Sequence, residues 1–313
     1  MSAPALVGRP LRRRVKQRRS DLAFAGVTKV AALLILVALA GVAVFLTAQG
    51  LPALEAGPEK LHGAANIAGY IWPLLYGTVL ASLIALAIAT PLSLGVALVI
   101  SHYAPRRLSR LLGYVVDLLA AVPSVVYGLW GIGFLGPQLV PLYRWLDTHA
   151  GWLPFFAGPA STTGKTILTA GIVLAIMALP IITAITREIF AQTPTLHQEA
   201  ALALGTTRWE MITMAVLPYG RSGIVSAVML GLGRALGETM AVAMVLSATG
   251  VVTVNLIGSQ NPSTIAANIA NQFPEASGLG VNALIASGLV LFVVTFVVNF
   301  AARAIVGRAG RER

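Results

Sequence analysis

The longest uncharged stretch of the chain is residues 61–105, which read LHGAANIAGYIWPLLYGTVLASLIALAIATPLSLGVALVISHYAP without a single Asp, Glu, Lys or Arg. A helix needs about 20 apolar residues to cross a hydrocarbon core about 30 Å thick. Uncharged stretches of comparable size recur at Leu118–Tyr143, Thr239–Pro274 and Ala276–Ala302. The sequence therefore predicts a protein that crosses a membrane several times.

The composition of the whole chain agrees with this prediction. Of its 313 residues, 57% are hydrophobic and 11% are charged, whereas soluble domains carry about 25% charged residues. A soluble globular enzyme and an intrinsically disordered chain are both excluded on this basis. Cysteine is absent, and the four histidines are scattered without metal-binding spacing, so we expect no metal or other cofactor.

We expect an all-α membrane protein with six transmembrane helices. The predicted spans are Val30–Ala48, Trp72–Ile100, Leu111–Leu135, Ile167–Thr186, Gly223–Leu246 and Val281–Ala302. They form a transmembrane domain (30–302) between a basic N-terminal segment (1–29) and a basic tail (303–313). The proline- and aromatic-rich segment 136–166 is expected to form an interfacial cap on the outer side, and residues 263–272 a short outer helix.

The distribution of basic residues predicts the orientation. Eighteen Lys and Arg residues fall in the two terminal segments and the second and fourth loops, against three on the other side. Cytoplasmic loops carry the excess of Lys and Arg, so both termini are expected in the cytoplasm of a multi-pass cell (inner) membrane protein. The net charge of +11 is then explained by topology and by contact with anionic membrane lipid, and we expect no nucleic-acid partner.

The fourth loop, residues 187–222, is predicted to be a helical hairpin. Capping boxes at 195–198 and 207–210 each indicate the start of a short helix. The first helix is expected to stop at Gly205, because glycine adopts the left-handed conformation without steric cost. The second is expected to end by Pro218.

Three interpretations of this hairpin are open. It is a simple link between two spans, a DNA-binding helix-turn-helix, or a docking surface for a cytoplasmic partner. Mixed charges and a position against the membrane count against DNA binding. For docking, small residues such as Ala200 and Ala201 allow close backbone approach, and Glu199 offers an anchoring charge.

The hairpin sequence resembles the EAA loop of ABC-importer permeases. The residues that carry the resemblance are Glu199, Ala200, Ala201, Gly205, Leu217 and Pro218. Ala215 stands where the family pattern has Ile. The resemblance implies a permease fold of the type I importer class, in which this loop sits in a groove of a separate ATPase subunit and couples its closure to the spans.

The fifth span contains two ionisable residues, Arg234 and Glu238. An intramembrane charge costs roughly 2.5–3.5 kcal/mol on insertion scales, so such residues are rarely tolerated without a role. Four residues apart on one helical face, the two are expected to pair. The pair either fixes the register of a buried helix or forms part of an anion path, in which Arg234 offers a planar fork of N–H donors.

A neighbouring Glu favours one kind of anion. Protonated phosphate has O–H groups that Glu238 can accept, whereas sulfate at neutral pH has none, so phosphate is favoured over sulfate. Thr239 adds a hydroxyl to this candidate path. Asp117 is a second intramembrane acid that pairs with Arg234, lines the path or reaches lipid headgroups.

Two glycines in the fifth span have the spacing of a packing motif. Gly233 and Gly237 form GxxxG, which favours close helix packing in lipid. We interpret them as packing residues.

Two segments resemble the phosphate-specific transport permeases, and the PstC type more than the PstA type. They are Gly231-Leu-Gly-Arg-Ala-Leu-Gly-Glu-Thr-Met-Ala-Val242 and Asp117-Leu-Leu-Ala-Ala-Val-Pro-Ser-Val-Val-Tyr-Gly-Leu-Trp-Gly131. The resemblance implies a heterodimer with a PstA-type permease subunit, two cytoplasmic ATPase subunits and an extracytoplasmic phosphate-binding protein. This chain would itself be non-catalytic: Gly164-Lys165-Thr166 lacks the rest of a P-loop, since Pro159 occupies the position of its first glycine.

Other transport classes remain as alternatives. An ABC permease for another oxyanion, such as sulfate or molybdate, would share the same layout. A stand-alone ion-coupled carrier would normally show an internal repeat with broken helices, and none is evident between the two halves of the sequence. A membrane-embedded enzyme would need a nucleophile beside Arg234 and Glu238.

Overall fold

The computed structural model describes residues 19–309 except 58, 60 and 62, and within that range the chain is helical throughout its regular parts. The helices are α1 (Arg19–Gly50), α2 (Ile67–Leu98), α3 (Arg106–Ala120), α4 (Ser124–Trp130), α5 (Gly136–Ala150), α6 (Ile167–Ala191), α7 (Thr195–Ala203), α8 (Arg208–Met211), α9 (Leu217–Gly237), α10 (Met240–Val245), α11 (Ile265–Gln272) and α12 (Leu279–Ala309). A 3₁₀ turn, Leu51–Glu55, follows α1. Residues 1–18 of the expected basic segment and 310–313 of the expected tail lie outside the described residues.

Six stretches of the described chain are helical, long and apolar enough to cross a membrane. They are Ala23–Glu55, Ile67–Tyr103, Ser124–Ala150, Ile167–Ala191, Arg208–Gly237 and Leu279–Ala304. The expected all-α class and the number of spans are confirmed. The first, second, fourth and sixth spans contain the predicted ones, with the second beginning earlier and ending at a π-helical turn (Val99–Tyr103).

The third span is shifted from the predicted position. Leu111–Leu135 was expected to be one helix, but α3 ends at Ala120 and a new helix starts after Pro123. Proline lacks an N–H and disfavours the helical conformation in the preceding residue, so it starts a helix more readily than it continues one. The span then runs through a π-helical turn (Gly131–Leu135) into α5. The first part of the segment 136–166, which was expected to form an interfacial cap, is therefore helical. The irregular part begins after Ala150.

The fifth span also differs from the prediction. The second helix of the hairpin was expected to end by Pro218, but α8 continues through a π-helical turn (Ile212–Val216) directly into α9. Pro218 therefore lies inside a continuous helix, directly after the π-helical turn. The continuous helix stops at Gly237, short of the predicted Leu246.

The chain divides into two compact units, residues up to Phe45 and residues from Leu46 onward. The core of the second unit surrounds α6, whose spanning window is two-thirds buried. On α2, the fully buried Ala81, Ala85 and Ala89 recur every four residues and belong to the same apolar cluster as α6. Small side chains let helix backbones approach closely, which drives helix association in lipid.

The segment 246–264 and α11 close one side of the second unit, which we name the α11 side; the opposite side carries α7 and α8 and is the hairpin side. The expected short helix at 263–272 is observed as α11, with its first four residues buried. Asn261, fully buried, anchors this segment. Its amide oxygen accepts from the Ile167 N–H (3.0 Å), and its amide nitrogen donates to the carbonyls of Lys165, Ser247 and Gly258.

Candidate functional site

The fifth span is interrupted at its two predicted functional residues. After Gly237 the backbone of Glu238 is extended (φ −68°, ψ 125°), and Thr239 precedes the six-residue α10. A break within a span frees backbone polar groups, which is tolerated only where they are buried in protein or line a cavity. The break therefore marks a specialised point in the helix.

Packing against α6 fixes the depth of this break. A Cβ added at Gly231 would lie 2.7 Å from the Ile182 side chain and 3.8 Å from that of Ala178. Both contacts lie near the middle of the 25-residue α6. Arg234 is three residues further along α9, about 4.5 Å at 1.5 Å per residue. Arg234 thus lies at the level of the centre of α6.

The predicted pairing of Arg234 with Glu238 is wrong for this structure. The helix ends between them, so the i, i+4 geometry that would bring the side chains together is lost. Glu238 is 8% exposed, and its carboxylate accepts a hydrogen bond from the Ala241 N–H (3.2 Å) at the start of α10. Among the described residues, the ion pair that forms is between Arg187 and Asp117.

Arg234 lacks a partner for part of its guanidinium group. Its Nε is buried and has no hydrogen-bond partner in the described part of the chain. The side chain lines a cavity of about 730 Å³ bounded by α6, α9 and α12. Near the break, the Thr239 hydroxyl donates to the Gly237 carbonyl (3.1 Å). The region of the break thus has an unsatisfied guanidinium donor that lines a cavity and a buried carboxylate that is not among the residues lining it.

This combination suits an oxyanion that carries protons. Guanidinium N–H groups donate to anionic oxygens in charge-assisted hydrogen bonds, which are about twice as strong as neutral ones. A carboxylate accepts only, so Glu238 bonds a ligand that itself donates. An anion with both O⁻ and O–H groups therefore offers a suitable partner to each of these two kinds of side chain.

The predicted packing glycines face open space within this chain. A Cβ at Gly233 or Gly237 would meet no atom of the described residues within 4 Å, so the close packing expected of them is not made within the described part of the chain. The contacts to α6 are made instead by Gly223 and Gly231, with the fully buried Ala227 between them. Their spacing of four residues was visible in the sequence and was missed.

Two further glycines missed by the sequence analysis hold α10 in place. A Cβ at Gly128 would lie 3.0 Å from the Ala241 backbone, and one at Gly131 would lie 2.8 Å from the Val245 side chain. These glycines let α4 and the following turn pack directly on α10. The short helix after the break is therefore clamped.

Asp117 lies in α3 and pairs with α6. Its carboxylate is 3.5 Å from Arg187, and Gly113, one turn earlier, makes room for the same guanidinium. The predicted pairing of Asp117 with Arg234 is wrong, because the structure places Arg187, which the sequence analysis did not consider, beside Asp117. The carboxylate side chain is 53% exposed. A pair this exposed contributes about 0–1 kcal/mol to stability.

Besides its second helix, which continues into α9, the hairpin departs from the prediction at its first capping box. The second capping box is present: the Thr207 N–H donates to the Glu210 carboxylate (2.7 Å), and Thr207 in turn accepts from the Glu210 N–H. The first box is not formed, because Pro194 is the N-cap residue and Gln198 donates to the Thr193 carbonyl instead. The first helix ends as expected at Gly205, with φ +80°.

Exposure divides the predicted docking residues into two groups. Glu199, Ala200 and Gly205 are exposed, whereas Ala201 is buried and Leu217 and Pro218 are half-buried. Ala201 and Leu217 belong to an apolar cluster that attaches the hairpin to the ends of α2 and α6. The exposed surface also includes large apolar side chains that the sequence analysis did not single out: Leu196, Leu202, Leu204 and Trp209.

The fold and site define a helical membrane permease with a helical hairpin between its fourth and fifth spans and a break in the helix of the fifth span. Residues 89–311 match the model of the binding-protein-dependent transport system inner membrane component family. Relatives described as phosphate transport system permease protein PstC 2, from Mycobacterium tuberculosis and Mycobacterium bovis, are each 46% identical over 98% of this chain and 97% of their own length. The Mesorhizobium japonicum PstC is 41% identical over 91% of this chain and 89% of its own.

The chain belongs to the family of binding-protein-dependent transport system inner membrane components and, within it, to the PstC permeases. Solved structures share the fold at low identity. A bacterial ABC transporter involved in alginate import matches with a TM-score of 0.54 and 19% identity over 92% of this chain and 96% of its own. An inward-facing MetNI methionine ABC transporter matches with a TM-score of 0.53 and 16% identity over 76% and 94%.

Proposed function

We propose that this chain is the PstC-type permease subunit of an ATP-driven importer of inorganic phosphate. The observation that carries the proposal is 46% identity over 98% of the chain to permeases described as phosphate transport proteins. The site is chemically consistent with that substrate, since Arg234 has an unsatisfied buried donor and Glu238 a buried acceptor. The chain is non-catalytic, and a separate ATPase hydrolyses ATP.

The complex assembles on three faces of the protein. The hairpin side faces the cytoplasm, together with both termini, and docks one of two ATPase subunits through Glu199, Ala200 and Gly205. The exposed Leu196 and Leu204 extend this contact with apolar area. The α11 side faces outward and receives an extracytoplasmic phosphate-binding protein. A PstA-type permease subunit completes the path as the other half of a heterodimer.

Gly233 and Gly237 support the heterodimer. None of the described residues places an atom within 4 Å of a Cβ at either position. Small residues in a span permit close approach of another helix. We assign them to contact with the partner permease.

The helix break provides a site that responds to movement of the hairpin. The α8–α9 helix is continuous from Arg208 to Gly237, so a displacement imposed on the hairpin by the ATPase moves Arg234 as one body with it. The following α10 is clamped against Gly128 and Gly131. Glu238, between the two, therefore changes its distance from Arg234, and the anion is bound in one arrangement and released in the other.

The choice between phosphate and sulfate depends on the Glu238 carboxylate, which can only accept hydrogen bonds. Monoprotonated phosphate donates its O–H to Glu238 while its charged oxygens accept from Arg234. Sulfate has no proton to donate and would bring its charge against the carboxylate. A permease for sulfate or molybdate is the second candidate, and the carboxylate counts against it.

The test is uptake of labelled phosphate in cells that lack their own high-affinity system and express this chain with its partner subunits. We expect uptake that excess sulfate does not inhibit, and loss of uptake in Arg234→Gln. Arg221→Gln, which removes an exposed charge from the same helix, is the matched control and is expected to transport normally. No phosphate uptake by the wild type, or inhibition by sulfate, would refute the substrate.

A further inference from the structure

The cavity beside Arg234 contains a second arginine at its other end. Its lining includes Arg234 and Gly233 of α9 and, on α12, Asn299, Ala302 and Arg303. No acidic side chain is found among the described residues that line it. A cavity of about 730 Å³ with two guanidinium groups and no carboxylate carries a positive potential.

Helix direction places the two arginines at different depths. The α9 helix runs from the hairpin side toward the α11 side, and its lining residues extend from Val225 to Arg234, about 14 Å at 1.5 Å per residue. The α12 helix runs the opposite way, and Arg303 lies near its end on the hairpin side. Arg234 is therefore at the end of the cavity nearer the α11 side and Arg303 at the end nearer the hairpin side.

The wall between the two arginines is mostly apolar. Val225, Met229 and Leu230 of α9 and Ala302 of α12 line it, with Ser226 and Asn299 as its polar members. An anion that leaves Arg234 along such a wall loses a charge-assisted hydrogen bond and passes through an environment that solvates charge poorly. The positive charge of Arg303, at the end of the cavity nearer the hairpin side, lowers the free-energy barrier for the anion that leaves Arg234.

We infer that Arg303 is a second anion-binding residue, which receives the oxyanion from Arg234 and passes it to the hairpin side. This inference rests on the proposed function for the identity of the anion, inorganic phosphate. Its exposed guanidinium remains hydrated, so it binds weakly enough to release. In the described part of the chain Arg303 forms no ion pair, and its charge is available to the cavity.

The absence of cysteine from the chain permits a direct measurement of the potential in the cavity. We would introduce Ser226→Cys and, in the nucleotide-free complex in lipid nanodiscs with cysteine-free partners, compare its labelling by an anionic and a cationic methanethiosulfonate. A positive cavity accelerates the anionic reagent and slows the cationic one. Adding Arg303→Gln is expected to lower the ratio of the two rates at least about fourfold, the effect of removing one charge at about 10 Å in water; a less polar surrounding makes it larger.

Arg303→Lys and Arg110→Gln are the matched variants. Arg303→Lys keeps the charge and is expected to keep the ratio, whereas Arg110→Gln removes an exposed charge from α3, outside the cavity lining, and is expected to leave it unchanged. Phosphate uptake by Arg303→Gln is expected to fall about fivefold, with Arg303→Lys retaining more than half.

The outcomes separate this inference from the proposed function. An unchanged labelling ratio in Arg303→Gln, or a Ser226→Cys thiol that no reagent reaches because lipid or the partner permease fills the cavity, would overturn the exit role of Arg303. Normal uptake by Arg303→Gln would do so as well. If the wild type takes up no phosphate while the ratio still depends on Arg303, the cavity is an anion path and the proposed substrate is wrong.

Discussion

Replacing Gly77 by Ala tests how tightly the segment 246–264 packs on α2. An added Cβ would lie 3.0 Å from the Ser263 carbonyl carbon and 3.1 Å from the Pro262 oxygen, and closer still to the Ser263 oxygen. These are backbone atoms and cannot rotate away. Moving them would also stretch the bond that the Ile265 N–H donates to the Thr78 hydroxyl (2.9 Å).

The magnitude follows from three contributions. Overpacking costs about 1–3 kcal/mol, and loss of a buried hydrogen bond costs about 0.5–1.5 kcal/mol. Alanine gains about 1 kcal/mol over glycine in helix propensity. Gly95→Ala in the same helix is the control. It gains the same helix propensity without the cost of overpacking, because a Cβ there meets no described atom within 4 Å. Relative to Gly95→Ala, Gly77→Ala is therefore expected to lose about 3 kcal/mol of unfolding free energy.

The assay is thermal unfolding of the purified chain, followed by its tryptophan fluorescence. One kcal/mol corresponds to about 2–4 °C for a domain of this size, so the two variants are expected to differ in Tm by about 6–12 °C, with Gly77→Ala lower. Equal Tm values for the two variants would show that the segment 246–264 does not pack against α2 as described.

Three further changes probe other parts of the structure. Asn261→Ala removes a buried side chain with four hydrogen bonds and is expected to lower the unfolding free energy by about 2–3 kcal/mol. The control is Asn271→Ala, at an exposed position. Similar Tm values for the two variants would contradict the anchoring role of Asn261. Thr207→Ala removes the capping box and is expected to cost about 1 kcal/mol, seen as roughly fivefold faster hydrogen exchange at residues 208–211; unchanged exchange would argue against the cap. Asp117→Asn is expected to cost less than about 1 kcal/mol, because the pair is half exposed, and a Tm drop as large as that of Asn261→Ala would refute this.

The number and class of spans were predictable from the sequence because they depend on composition alone. An uncharged run of 20 residues has few alternatives in a chain of this hydropathy. Interruptions of the helices were harder to predict. Pro123 starts a new helix whereas Pro218 lies inside a continuous one, and the difference depends on the π-helical turn that precedes Pro218.

The sequence identified which residues belong to the site, but it did not predict how they are arranged. Arg234 and Glu238 stood out because charges in a span are costly. Their spacing suggested a helical pair, but α9 ends between them, and propensity does not reveal that Gly237 and Glu238 leave the helix. Arg303 drew no attention in the sequence, where it reads as one more basic residue after the last span. Only the packing of α12 against α9 brings it to the cavity of Arg234.

The most direct test of the central claim is phosphate accumulation by the purified complex in proteoliposomes, compared between wild type and Arg234→Gln at matched rates of ATP hydrolysis. A charge-assisted hydrogen bond contributes about 1.5–3 kcal/mol, so the account predicts that accumulation falls at least about tenfold while ATP hydrolysis continues. Accumulation by Arg234→Gln at the wild-type level would contradict it, and would place the phosphate path away from the break in the fifth span.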